Sequence, residues 1–119
     1  MSQFPLTPTK IPVRTLIIGV DAPYNRVSNI ESYFAEFRKL LETNGTEYQH
    51  ELYVKIRTVD SSYFFTKGKL EEIANFCKEH EIEEVIISDA LTSQQERNLE
   101  DMLQCSVFDR TYLILEIFE

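Results

Sequence analysis

The chain has 119 residues, 43% hydrophobic and 12% aromatic, a size and composition that fit one globular domain. Twenty acidic against 12 basic residues give a formal net charge of −8, which argues against a broad basic surface for nucleic acid. No apolar run approaches the ~20 residues of a membrane span, and Cys77 and Cys105 lack zinc spacing, so membrane and metal roles are not indicated.

Residues 1–12 are proline-rich and polar and are expected to form a flexible N-terminal segment. They carry no charged-then-apolar leader pattern, which points to a cytoplasmic protein. Residues 13–20 are a short apolar run rich in β-branched side chains, the pattern of a parallel strand buried on both faces. Ser28-Asn29-Ile30-Glu31 has capping-box register. Ile30, Tyr33, Phe34, Phe37, Leu40 and Leu41 then recur at helical spacing, and Gly45 supplies a left-handed stop. The aromatics of this helix read as core.

Residues 47–59 alternate, with Tyr48, His50, Leu52, Val54 and Ile56 on one side and Gln49, Glu51, Tyr53, Lys55 and Arg57 on the other. That reads as an edge strand with one face toward water. His50 has no second ligand at metal spacing. An extended aromatic run, Tyr63-Phe64-Phe65, then leads into Lys67-Gly68-Lys69 and a helix whose apolar face is Leu70, Ile73, Ala74 and Cys77. Thr66 or Gly68 is the expected N-cap, with Glu71 and Glu72 in the first turn. Two lysines at the positive end of a helix can hold an anion; a solvated loop is the plainer reading of the same residues.

Residues 85–89 form a second doubly buried strand, and Thr92 with Gln95 caps a further helix with a narrow apolar face of Leu99, Met102 and Leu103. A short run at 106–108 follows, and Asp109 caps a last, very apolar helix. That helix shows neither a polar face nor a C-cap, so 109–119 is expected to begin a longer one. Strands and helices alternate, which predicts for 13–108 an α/β three-layer sandwich: a four-stranded parallel sheet, order 2-1-3-4, with helices on both faces. Ligands would gather at the carboxyl rim where the sheet reverses direction, and Asp21, Arg57, Lys67, Gly68, Lys69, Asp89, Arg97, Asp109 and Arg110 are expected there.

Three runs carry a resemblance: 67–73 (Lys-Gly-Lys-Leu-Glu-Glu-Ile), 89–100 with its Arg97-Asn98-Leu99-Glu100, and 109–118 opening on Asp109-Arg110-Thr111. The chain resembles the N-terminal domain of the HflX family of ribosome-associated GTPases over roughly 50–118. Thr66 stands where the family has glycine, and Ser88 and Ala90 replace acids flanking Asp89. The resemblance implies contact with the large ribosomal subunit and rRNA, and regulation of an attached GTPase domain in ribosome splitting or rescue. In that reading Lys67, Gly68, Lys69, Arg97, Asn98 and Arg110 meet RNA or phosphate. The alternatives are a nucleotide domain with weak ATPase activity and a plain scaffold for the GTPase domain. No catalytic or metal residues are assigned to this chain. GTP and Mg²⁺ are implied for helical and GTPase domains beyond residue 119, with ATP as the nucleotide of the alternative. The 119 residues contain no Gly-x-x-x-x-Gly-Lys-Ser/Thr loop, so hydrolysis by that machinery is not expected here. The apolar 113–118 face would pack on the GTPase domain or make a dimer.

Overall fold

The structure is a computed structural model that describes residues 13–25 and 29–117. The elements are β1 (Thr15–Asp21), a 3₁₀ turn (Pro23–Asn25), α1 (Ile30–Thr43), β2 (His50–Lys55), α2 (Lys67–Glu79), β3 (Glu84–Ile87), α3 (Ser93–Leu103), β4 (Ser106–Phe108) and α4 (Arg110–Ile117). All strand pairs are parallel and the sheet order is β2-β1-β3-β4, as the alternation predicts. The two fully apolar strands take the centre, because only there are both faces shielded from water.

Period two along β1 divides the core. Leu16, Ile18 and Val20 pack with Leu70, Ile73, Cys77, Leu99 and Leu103 of α2 and α3. Ile17 and Ile86 pack on the other face with Phe37, Leu41 and Leu113 of α1 and α4. The sequence-predicted segment 1–12 and Ser28 lie outside the described residues.

Several local expectations change. Asn29 rather than Ser28 caps α1, accepting from the Ser32 amide at 2.7 Å. The alternating strand is shorter than 47–59 because its ladder ends at Lys55. The aromatic run is a closed turn and not extended chain. Asp60 and Phe64 exchange backbone hydrogen bonds at 3.0 and 2.9 Å, and the Asp60 carboxylate accepts from the Ser62 and Tyr63 amides. Phe64 takes φ 66°, strained for a large side chain, and its burial with Phe65 offsets that cost. On α3, Met102 is exposed and Gln95 is buried. His50 does acquire a neighbour the spacing hid: its ring lies 4.6 Å from that of His80, with Phe76 completing the stack.

Gly19 lies inside β1 with an ordinary strand role, yet it has a packing reason. A Cβ built there would stand 2.6 Å from the Tyr53 ring and 2.9 Å from the Phe34 ring. The two rings meet over it with centroids 4.6 Å apart. Gly19→Ala is therefore expected to cost about 1–3 kcal/mol by overpacking, read as a lowered urea midpoint at unchanged m-value.

Candidate functional site

The expected residues occupy three places. Thr66 caps α2, accepting from the Lys69 amide at 3.5 Å, so Lys67, Gly68 and Lys69 form the first helical turn. Gly68 is exposed, helical and has open space where a Cβ would be; it is not needed for a turn. Glu71 and Glu72 fall in the second turn, not the first. Lysines at the positive end oppose the helix dipole, a small cost that an anion or a nearby acid relieves. Here Lys69 has Glu72 at 3.8 Å, while the Lys67 side is exposed.

Arg97 leaves the expected rim. It lines a shallow hollow with Glu83, which precedes β3, and with Ser106, which opens β4, so it sits toward the amino ends of the strands. Glu83, Glu100 and Asp101 share that hollow, making it a poor place for a phosphate. Asn98 is half-buried, and its amide donates to the Ser62 carbonyl at 2.9 Å. Gln95 does the same to the Asp60 carbonyl at 2.8 Å. Arg110 stands on the opposite face of the sheet, 2.8 Å from Glu36 and with its guanidinium 5.8 Å from the Tyr33 ring centroid. Lys67, Gly68 and Lys69 thus remain one unit, without Arg97, Asn98 or Arg110.

At the carboxyl ends of β1 and β3, the rim where Asp89 and Asp109 were expected, the structure adds partners that the sequence did not single out: Tyr24, Tyr33 and Ser88. Asp89 is 7% exposed. Its carboxylate accepts from Tyr24 at 2.5 Å and from Tyr33 through a short bond to its other oxygen. Ser88, fully buried, accepts from the Val20 amide at 2.8 Å, and Tyr33 also reaches its carbonyl at 3.1 Å. Asp109 accepts from the Leu91 amide at 2.8 Å and from the Tyr112 amide at 3.0 Å, capping α4 as expected and fixing the loop after β3. Burial, and then the bond to Asp89, push the phenol pKa of Tyr24 and Tyr33 well above the ordinary tyrosine value. A carboxylate that accepts from phenols on both oxygens is a tie between elements, not an open base. Tyr33 was legible only as part of the apolar stripe of α1, and Tyr24 sits in a turn without a pattern. Among the described residues no group of three or more His, Cys, Asp or Glu is placed to hold a metal, and no helix is long and apolar enough to cross a membrane.

The described residues define a small α/β domain built on a four-stranded parallel sheet. Residues 31–119 match the family described as GTP-binding GTPase N-terminal, so the chain belongs to that family, in the form of the N-terminal domain of HflX. Relatives include the GTPase HflX of Flavobacterium psychrophilum, 30% identical over 105 residues, covering 88% of this chain and 25% of the relative. The GTPase HflX of Escherichia coli is 39% identical over 83 residues, 70% of this chain and 20% of its own length. The chain thus spans a fifth to a quarter of these relatives. Two solved structures share the fold: SsGBP in complex with GDP (TM-score 0.61, 22% identity, 89% of this chain, 29% of that one) and a GTP-binding protein from Sulfolobus solfataricus in complex with GDP (TM-score 0.58, 21% identity, 89% and 30%).

Two outcomes test the tie. Asp89→Ala removes the acceptor that ties both phenols together, while Tyr33 keeps Ser88 and the exposed Tyr24 turns to water, so stability should fall by about 1–2 kcal/mol in urea titration. For the tyrosines the sign is fixed by the raised phenol pKa: the folded state keeps protons that the unfolded chain releases near pH ~10. Stability is therefore present below that pH and falls above it, and Tyr33→Phe should make the alkaline fall shallower.

Proposed function

We propose that this chain is the accessory domain of a cytoplasmic HflX-type GTPase, and that it contacts rRNA of the large ribosomal subunit while biasing the attached GTPase domain toward ribosome splitting or rescue. GTP and Mg²⁺ belong to that other domain in this reading. The observation that carries it is the start of α2. In a chain of net charge −8, Lys67 and Lys69 share the first turn of a capped helix on the surface. Phosphate contacts of this kind position a protein on RNA without reading its sequence, so a small cationic turn suffices beside an otherwise acidic surface. The acidic remainder repels RNA and restricts contact to that turn. The apolar α4, with Leu113 buried and Leu115 62% exposed, supplies a surface for the neighbouring domain.

The test is cosedimentation with purified large subunits over a salt series, using the chain alone and joined to an HflX GTPase domain. Binding should weaken with salt. Replacing Lys67 and Lys69 with alanine should lower affinity several-fold and reduce the salt slope by about 1–2. Equal binding by the double variant removes this turn from the interface.

A further inference from the structure

Among the described residues β2 pairs only with β1, which leaves its other edge open. The direction of its backbone groups follows from the ladder. The Ile56 amide donates to the Asp21 carbonyl at 2.9 Å, and Asp21 is in register with Lys55. Parallel pairing alternates with period two, so residues 50, 52 and 54 bond toward β1. Glu51, Tyr53 and Lys55 turn their N–H and C=O groups outward. The side chains of these three are also exposed, with Tyr53 43% accessible. The Tyr53 hydroxyl donates to Glu51 at 2.5 Å and is held by Arg38 at 2.6 Å, so the acid lies along the strand beside the ring.

An open edge of this kind is a template for another strand. We propose that β2 pairs with β2 of a second copy of the chain, antiparallel, about a two-fold axis through Tyr53. The assignment to a second copy rests on charge. In that register Tyr53 meets Tyr53, and Glu51 of each copy lies opposite Lys55 of the other. The Tyr53 pair lies on the axis and occurs once, and symmetry supplies the attractive Glu51–Lys55 pair twice. Centring the pair on Glu51 or on Lys55 instead sets like charges opposite each other. The other face of the strand agrees. Leu52 would stand opposite Val54 of the second copy, and beside them a groove of about 240 Å³ runs between β2 and α2, floored by Ile73 and Phe76. The two sheets become one continuous eight-stranded sheet. The contact is small, so dimerisation is weak and depends on concentration.

Sedimentation equilibrium of the whole chain tests the pairing. The wild-type chain should show a monomer–dimer equilibrium. Glu51→Lys sets lysines opposite lysines, and Lys55→Glu sets acids opposite acids, so each single variant should dimerise roughly tenfold more weakly. Mixing the two single variants should restore association as a heterodimer, because each then offers the charge the other lacks. The double variant, carrying both swaps, should dimerise as the wild type does. Circular dichroism checks that each variant is folded. Asp21 stands in register beside Lys55, so Lys55→Glu puts two acids together; if that variant unfolds, Glu51→Lys alone decides, by weakened dimerisation. A wild-type chain that stays monomeric at high concentration overturns the proposal. So do single variants that dimerise unchanged, as a dimer through α4 would, a folded mixture without heterodimer, or a double variant that stays monomeric.

Discussion

A buried carboxylate must be satisfied, and the way Asp89 is satisfied shapes the carboxyl rim of this domain. Leaving an ionised acid in the interior without partners costs far more than a single hydrogen bond returns. Asp89 avoids this by drawing in one phenol from the 3₁₀ turn after β1 and one from α1. It therefore joins three segments that are distant in sequence. Ser88 does the same for the backbone of β1. The point where the sheet reverses, which in open α/β sheets is where ligands collect, is here filled by the protein's own side chains.

The lysine turn is separate from that cluster. Among the described residues, the lysine pair at a helix start belongs to α2, on the face away from α1 and α4. Arg110 approaches the rim from the other face, but Glu36 and the Tyr33 ring engage it. The domain separates a structural polar cluster on one side of the sheet from an exposed, positively charged turn on the other.

The architecture was legible in the sequence because burial on two faces erases alternation. The runs at 13–20 and 85–89 could only be central strands, and the alternating 47–59 only an edge. Thr92 with Gln95, and Asp109, announced their helices by capping side chains in register with the first turn. The site was less legible. Tyr24 and Tyr33 become partners of Asp89 through tertiary approach across 65 and 56 residues, which no local spacing encodes. Likewise Gly19 looked like an ordinary strand residue until Tyr53 and Phe34 closed over it. Arg97 and Asn98 were adjacent in a recognisable run; both border the acidic hollow, and the Asn98 amide is tied to the Ser62 carbonyl.

Two of the three amide side chains of α3 give the domain a mechanical property. Gln95 and Asn98 grip the backbone carbonyls of Asp60 and Ser62. The turn they hold leads directly into Thr66 and the lysines. The charged tip is thus braced from the side by a neighbouring rod instead of hanging from the strand before it. Those two bonds tie the position of the tip to α3 as well as to the chain that leads into it.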